Sequence, residues 1–314
     1  MNLTDLHARR QPGRHITGMA AALLPFTETG QIAEEAYAGL LLDTVAAGLT
    51  PAVNMDTGYV NLLTDSEKER VLGLAQQTLN GAPFVAGAYI EGQDGDIADL
   101  YKREIERIAE YGGTPIFFQT ARLHGVPASE VVRVYDTASA GVETAYAFEL
   151  GKMFAPNGEI WPDDVFEGIL GIPQIKGMKH SSLDRIRETD RLAARDRVRP
   201  DFKIFTGNDL GIDMSEYGSD YLLGLAAFSP SKFAERDRLW EAGDTGYLAV
   251  ADALQLLGNV AFRAPVPAYK HSCAVFLNLI GKIPTARTHP RSPERPEWER
   301  EILKSCAQRL GLLE

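Results

Sequence analysis

Eight short apolar runs recur along the first three-quarters of this chain, each separated from the next by a helix-like or polar segment. The runs are Ile16–Leu24, Leu49–Met55, Pro83–Ile90, Thr114–Phe118, Ala145–Leu150, Pro173–Ser182, Phe202–Phe205 and Asp220–Ala227. Between them, apolar residues at helical spacing predict helices over Ile32–Ala47, Thr64–Leu79, Ile97–Tyr111, Pro127–Ala140, Pro162–Leu170, Leu183–Arg197 and Asn208–Tyr217. Ser229-Pro230-Ser231 opens an eighth. Strict strand–helix alternation calls for a parallel sheet covered by helices, because parallel neighbours need a crossover. An open, doubly wound sheet satisfies that pattern as well. Eight units in a chain of this length fall within the size range of a closed (β/α)8 TIM barrel, and the alternation alone does not distinguish it from the open sheet.

Residues after Phe233 contain no strand-like run. They predict helices over Leu239–Asn259, Ala268–Ile280 and Pro296–Leu312, the last two linked by the proline-rich stretch Pro284–Pro296. The expected organisation is a barrel over residues 1–232, including a short polar arm, followed by a helical extension over residues 233–314. The Leu183–Arg197 helix is so charged that a largely solvated position is expected for it.

Composition narrows the partners. A chain of 314 residues with net charge -11 offers no basic field to attract nucleic acid. It holds 45% hydrophobic and 24% charged residues, ordinary for a globular protein. No apolar run approaches the roughly 18 residues that cross a membrane. Two cysteines, Cys273 and Cys306, have no metal-type spacing, and the histidines show none either. With no signal-like segment near its N-terminus, the expectation is a cytoplasmic protein that meets neither nucleic acid nor membrane.

The sixth run carries the chemistry. Side chains alternate across a strand, so Ile175, Gly177 and Lys179 share one face, and Lys176 and Met178 share the other. If the first face looks into the barrel, Lys179 stands at its mouth. A free lysine is neutral in only about one molecule in 2,500 at pH 7. Burial at an apolar strand end lowers its pKa and frees the amine to form an imine with a ketone or aldehyde. Such an imine then accepts the electron pair of an adjacent breaking bond.

Several stretches resemble the dihydrodipicolinate synthase / N-acetylneuraminate lyase family of Schiff-base aldolases. Gly18-Met19-Ala20-Ala21-Ala22-Leu23-Leu24-Pro25-Phe26 with Gly30-Gln31-Ile32 resembles the family's opening strand and turn. Asp56-Thr57-Gly58-Tyr59 stands where the family carries a Thr-Thr-Gly-Glu turn. Gly177-Met178-Lys179 is similar to the strand that ends in the Schiff-base lysine. Thr206-Gly207-Asn208-Asp209, the glycine-containing eighth run and the tail ending Leu310-Gly311-Leu312 also fall in place.

The departures are as specific. Phe117 and Phe118 occupy the positions of the family's tyrosine pair. The stretch Glu149–Lys152 lies where its proton-relaying tyrosine belongs, and Asp56 and Tyr59 replace a threonine and the glutamate of the turn. A carboxylate such as Asp56 repels a bound carboxylate unless it is protonated or paired.

The resemblance implies a carbon–carbon lyase or aldolase acting through Lys179 on a small 2-keto acid or aldehyde. It also implies no metal or organic cofactor, and a homodimer or homotetramer. Glu149, Tyr59 and His180 are the open candidates for moving protons. Asp56, Thr57, Gly58, Phe118, His180 and Asn208 are the expected substrate-binding set, Thr57 and Gly58 through a hydroxyl and backbone N–H groups. Two other readings stay open: a Schiff-base dehydratase or hydratase of a sugar-derived keto acid, and a catalytically silent barrel that binds a metabolite.

Overall fold

In a computed structural model that describes residues 3–314, eight parallel strands close into a barrel in chain order. They are β1 (Gly18–Ala21), β2 (Thr50–Val53), β3 (Val85–Ala88), β4 (Thr114–Phe117), β5 (Ala145–Leu150), β6 (Ile175–Ser181), β7 (Lys203–Thr206) and β8 (Asp220–Leu223). Closure comes from the pairing of β1 with β8, Gly18 opposite Tyr221. The polar arm contains a helix, α1 (Leu3–Ala8); residues 1 and 2 of that arm lie outside the described residues. Around the barrel run α2 (Glu34–Ala46), α3 (Asp65–Leu79), α4 (Ile97–Glu110), α5 (Ala128–Ser139), α6 (Asp163–Leu170), α7 (Arg185–Val198) and α8 (Pro230–Glu241). The helices α9 (Tyr247–Ala261), α10 (Tyr269–Leu279) and α11 (Glu299–Arg309) complete the chain.

Local chemistry sets the helix starts. Thr64 and Glu67 form a reciprocal cap on α3, the Glu67 N–H reaching Thr64 Oγ1 at 3.3 Å and the Thr64 N–H reaching Glu67 Oε2 at 2.7 Å. Asp96 and Asp184 cap α4 and α7 through their side chains.

Alternation along the strands divides the core in two. Met19, Ala21, Ala52, Val85, Ile116, Phe148, Phe205 and Leu222 fill the barrel interior. Their neighbours Ala20, Val53, Ala86, Phe117, Ala147, Met178, Ile204 and Leu223 pack outward against the helices. Many of the outward residues on β1, β3 and β5 are alanines.

Some expectations are corrected. The run Leu239–Asn259 is two helices, α8 and α9, because the chain turns at Gly243 with φ 71°. The expected helix after β7 is a 3-10 segment, Ile212–Tyr217, and the eighth strand gives way to another over Leu225–Ala227. On β6 the simple parity fails at its start. Ala145 pairs with Ile175 and Tyr146 with Gly177, so Lys176 is an extra, exposed residue and Ile175 joins the outer core. From Gly177 onward the alternation resumes, which is what sends Lys179 inward.

The charged helix α7 is not largely solvated. Glu188, Arg191 and Arg195 are buried against the barrel wall, because each finds a partner there. Glu188 accepts from Thr206 Oγ1 and Ser219 Oγ, and Arg195 donates to the Phe202 carbonyl. These pairings satisfy charges that could not be buried alone.

Gly87 lets β3 pass the neighbouring backbone. A Cβ there would stand 2.2 Å from the Asn54 carbonyl oxygen and 2.7 Å from the Phe118 ring. Gly87→Ala is therefore expected to lower stability by about 2 kcal/mol or more, read as a lower urea midpoint at unchanged slope.

Candidate active site at the barrel mouth

Lys179 ends the inward face of β6. Its Nζ lies 4.6 Å above the Phe148 ring, and the register places it between Phe148 on β5 and Phe205 on β7. Only 8% of the residue is exposed. Burial pushes its pKa down from the ordinary lysine value, while Asp209 and Asp56 push it partly back. The β7 backbone presses against the lysine stem: a Cβ on Gly207 would meet Ser181 Oγ at 2.0 Å and Lys179 Cε at 2.7 Å. Ser181 shares the lysine's face, and its buried hydroxyl finds no partner among the described residues.

Asp209 follows β7 and is 3% exposed. Its Oδ1 accepts the Leu225 N–H at 2.7 Å. Burial raises its pKa to about 7, against the opposing pull of Lys179 and of backbone N–H groups. An acid that titrates near neutrality therefore stands in the field of an amine whose pKa has been lowered. The resemblance brought Asp209 into view only as part of a matching motif; the fold brings its charge to act on the lysine.

Asp56 and Thr57 begin the turn after β2. Lys270 Nζ donates to Asp56 Oδ1 at 3.0 Å, and Tyr269 Oη donates to Asp56 Oδ2 at 2.9 Å. Thr57 Oγ1 lies 2.8 Å from the same Tyr269 oxygen. The pairing that a carboxylate at position 56 requires is thus supplied by α10. Gly224, just past β8, makes room for this: its Cβ would stand 3.1 Å from the Tyr269 ring and 3.4 Å from Thr57 Oγ1. Tyr269 also stacks on Phe262, with ring centroids 4.3 Å apart. Sequence reasoning missed Tyr269 and Lys270, since a tyrosine and lysine at a helix start carry no signal of their own.

Other expected residues lie elsewhere. Glu149 and His180 face outward, behind the barrel wall, because each follows an inward residue, Phe148 and Lys179, by one position on its strand. His180 Nδ1 is 2.6 Å from Glu149 Oε2, and Arg191 Nη2 donates to Glu149 Oε1 at 2.8 Å. Burial alone would raise the Glu149 pKa, but His180 and Arg191 together hold it well below the ordinary value. A carboxylate so committed, and turned from Lys179, is a structural anchor of β5 and β6.

Tyr59 is buried with Phe26 and His289 at centroid distances of 5.7 and 6.1 Å, in the outer core. The Gly58 N–H is spent on the Met55 carbonyl at 3.0 Å, so it does not point at a ligand. Asn208 Oδ1 accepts the Leu210 N–H at 3.1 Å and closes a local turn. Phe118 lies inside the barrel, edge-on to Phe148 at 5.1 Å, and Tyr101 Oη donates to its carbonyl. A cavity of about 260 Å³ lies outside the barrel, lined by Leu23, Leu40, Thr44, Phe228 and Leu277, away from the lysine. Among the described residues no cluster of metal-ligating side chains occurs, and no helix is long and apolar enough to cross a membrane.

No family model matches the sequence, and no curated protein matches it. Solved structures do. The chain has the fold of the dihydrodipicolinate synthase structures. YagE, a prophage protein of the dihydrodipicolinic acid synthase family from E. coli K12 in complex with pyruvate, superimposes with a TM-score of 0.82 at 16% identity. That match covers 95% of this chain and 99% of YagE. The dihydrodipicolinate synthase of Thermotoga maritima matches at 0.80 and 17% identity, over 95% and 99% of the two chains. The enzyme of Agrobacterium tumefaciens matches at 0.78 and 18%, over 98% and 100%. At such identities the likeness carries the fold, and the site's chemistry must be argued from its own residues.

The raised Asp209 pKa has a definite sign in stability. Between about pH 4 and pH 7 the folded protein holds a proton on Asp209 that the unfolded chain has released, so this contribution is lost as pH rises through about 7. In Asp209→Asn that loss should vanish. The melting temperature of the wild type minus that of the variant is expected to fall from pH 5 to pH 8, as followed by circular dichroism.

Proposed function

We propose that this protein is an aldolase-type carbon–carbon lyase that forms an imine between Lys179 and a small 2-keto acid or related aldehyde. The observation that carries this reading is Lys179 itself: an inward lysine at the C-terminal end of a barrel strand, desolvated and facing Phe148. The C-terminal ends of barrel strands are where this architecture places its chemistry. The likeness to a barrel solved with pyruvate supports the choice of a keto acid.

In this reading the Lys179 amine attacks the substrate carbonyl, and the resulting alkoxide gains a proton. Loss of water then leaves the iminium. Asp209, acidic near neutrality, exchanges protons with the amine and with the departing oxygen. The free Ser181 hydroxyl beside the lysine is a donor for a substrate oxygen. Phe118, Phe148 and Phe205 keep the reacting atoms dry, which favours the neutral amine. The fit is to a small substrate, because the lysine is little exposed among aromatic rings.

The test is borohydride trapping with pyruvate and a panel of 2-keto acids and aldehydes. One carbonyl compound at least is expected to give a stable reduced adduct, which peptide mapping places on Lys179, and Lys179→Ala should give none. A folded wild type that traps no compound in the panel would sink the imine. Product analysis with the trapped substrate then separates aldol cleavage from dehydration of a sugar-derived keto acid.

A further inference from the structure

Glu149 and His180, which the imine does not use, belong to a cluster of their own on the outer face of β5 and β6. His180 Nδ1 lies 2.6 Å from Glu149 Oε2, and His180 Nε2 lies 2.7 Å from Ser182 Oγ. Arg191 Nη2 donates to Glu149 Oε1 at 2.8 Å, and the Trp161 N–H donates to the same oxygen at 3.0 Å. Glu149 and His180 are fully buried, whereas Ser182 is partly exposed at the turn into α7. Hydroxyl, imidazole and carboxylate thus run in a line from solvent to core.

Chemistry fixes the direction of that line. Burial works against the charge of Glu149, but His180 and Arg191 outweigh it and keep the group ionised. An ionised carboxylate only accepts, so His180 Nδ1 carries a proton. In the neutral ring Nε2 then holds a free lone pair. The Ser182 hydroxyl has two acceptors in reach, Nε2 at 2.7 Å and the Asp184 carbonyl at 3.2 Å, and the nearer takes its proton. The Asp184 N–H donates to the same serine oxygen at 3.0 Å. Leu183, directly after the serine, has φ 59°, a left-handed conformation that is costly for a residue with a Cβ. Strain of this kind collects at functional sites. Among the described residues, the Leu183 and Arg185 N–H groups find no acceptor. In a strand-to-helix nucleophile turn, the N–H after the serine is one of those that receive an oxyanion.

We propose that Ser182, His180 and Glu149 form a serine–histidine–glutamate triad that cleaves small esters, at a second site separated from Lys179 by the barrel wall. The turn is open to solvent, so an acyl carbonyl reaches the hydroxyl without entering the barrel. Partly exposed Leu183 and Ile186, the latter 47% exposed, give a short acyl chain apolar surface on the same turn.

The step balances. Ser182 Oγ bonds to the ester carbonyl carbon, the carbonyl π pair moves to its oxygen, and the hydroxyl proton passes to His180 Nε2. Collapse breaks the bond to the alkoxy group, which leaves as the alcohol with that proton. Water then attacks the acyl-serine, gives a proton to His180, and the proton returns to Ser182 Oγ as the acid departs. Ser182 and His180 are the catalytic residues. Glu149 positions the imidazole and balances its charge while it is protonated. Arg191 and Trp161 position Glu149 in turn.

The test is labelling of the full-length protein by a fluorophosphonate, which phosphonylates an activated serine, followed by peptide mapping. Ser182 should be labelled at least about 100-fold faster than Ser66, an exposed serine in the first turn of α3, since base activation is worth that much. His180→Gln should slow the Ser182 label by a similar factor, and Ser182→Ala should abolish it. Hydrolysis of p-nitrophenyl acetate should fall in proportion to the Ser182 labelled. A folded wild type that labels Ser182 no faster than Ser66 would overturn the triad, and that comparison decides even if His180→Gln does not fold. So would labelling at the wild-type rate in folded His180→Gln, or ester hydrolysis that survives complete labelling. Carbonyl trapping at Lys179 reads a different residue, so the imine and the triad fail or stand separately.

Discussion

Burying an ammonium group at the end of a barrel strand is the constraint around which the mouth of this protein is arranged. Lys179 sits against aromatic carbon, where its charged form is poorly solvated, and the charges of Asp209 and Asp56 partly offset that loss. Asp209 is itself so buried that it titrates near neutrality. Asp56 is balanced by Lys270 at 3.0 Å. The charges of Lys179, Asp209 and Asp56 thus act on one another, and Asp56 is in turn paired with Lys270. Such mutual adjustment is how active sites keep both an acid and a base available at one pH.

The same accounting explains the wall behind the site. Inward residues of β5 and β6 serve the lumen, and their outward neighbours Glu149 and His180 form a second, separate network closed by Arg191. That network costs desolvation and returns little net stability. It does fix the relative position of the two strands that carry Phe148 and Lys179. The bulge at Lys176 acts on the same strand, shifting its register so that the lysine, and not its neighbour, faces inward. Positioning of the buried lysine is therefore shared between a backbone irregularity and a buried ion pair on the far side of the sheet.

The C-terminal helices are part of the site. α10 is tied to the barrel by hydrogen bonds from Tyr269 and Lys270 to Asp56, and Gly224 leaves the space they occupy. This resolves the conflict that Asp56 presents on sequence grounds, where a carboxylate replaces a threonine at a turn expected to meet a substrate carboxylate. Its charge is already matched from the helix above.

Much of the architecture was legible in the amino-acid sequence because it rests on local rules. The alternation of apolar runs with helical spacing, the Thr64–Glu67 cap and the β-strand parity beyond Gly177 are all short-range properties, and they place Lys179 at the mouth. Short-range rules fail where partners are distant. Nothing near Glu188 or Arg191 announces the buried groups that receive them, so α7 reads as a solvated helix. Nothing near Glu149 reveals that Trp161, His180 and Arg191 hold it. The sequence by itself determined the strand–helix alternation and the face that Lys179 shares with Gly177. Only the tertiary structure decided which acids act on that lysine and that Tyr269 and Lys270 pair with Asp56, because burial and long-range contact set the surroundings of each group.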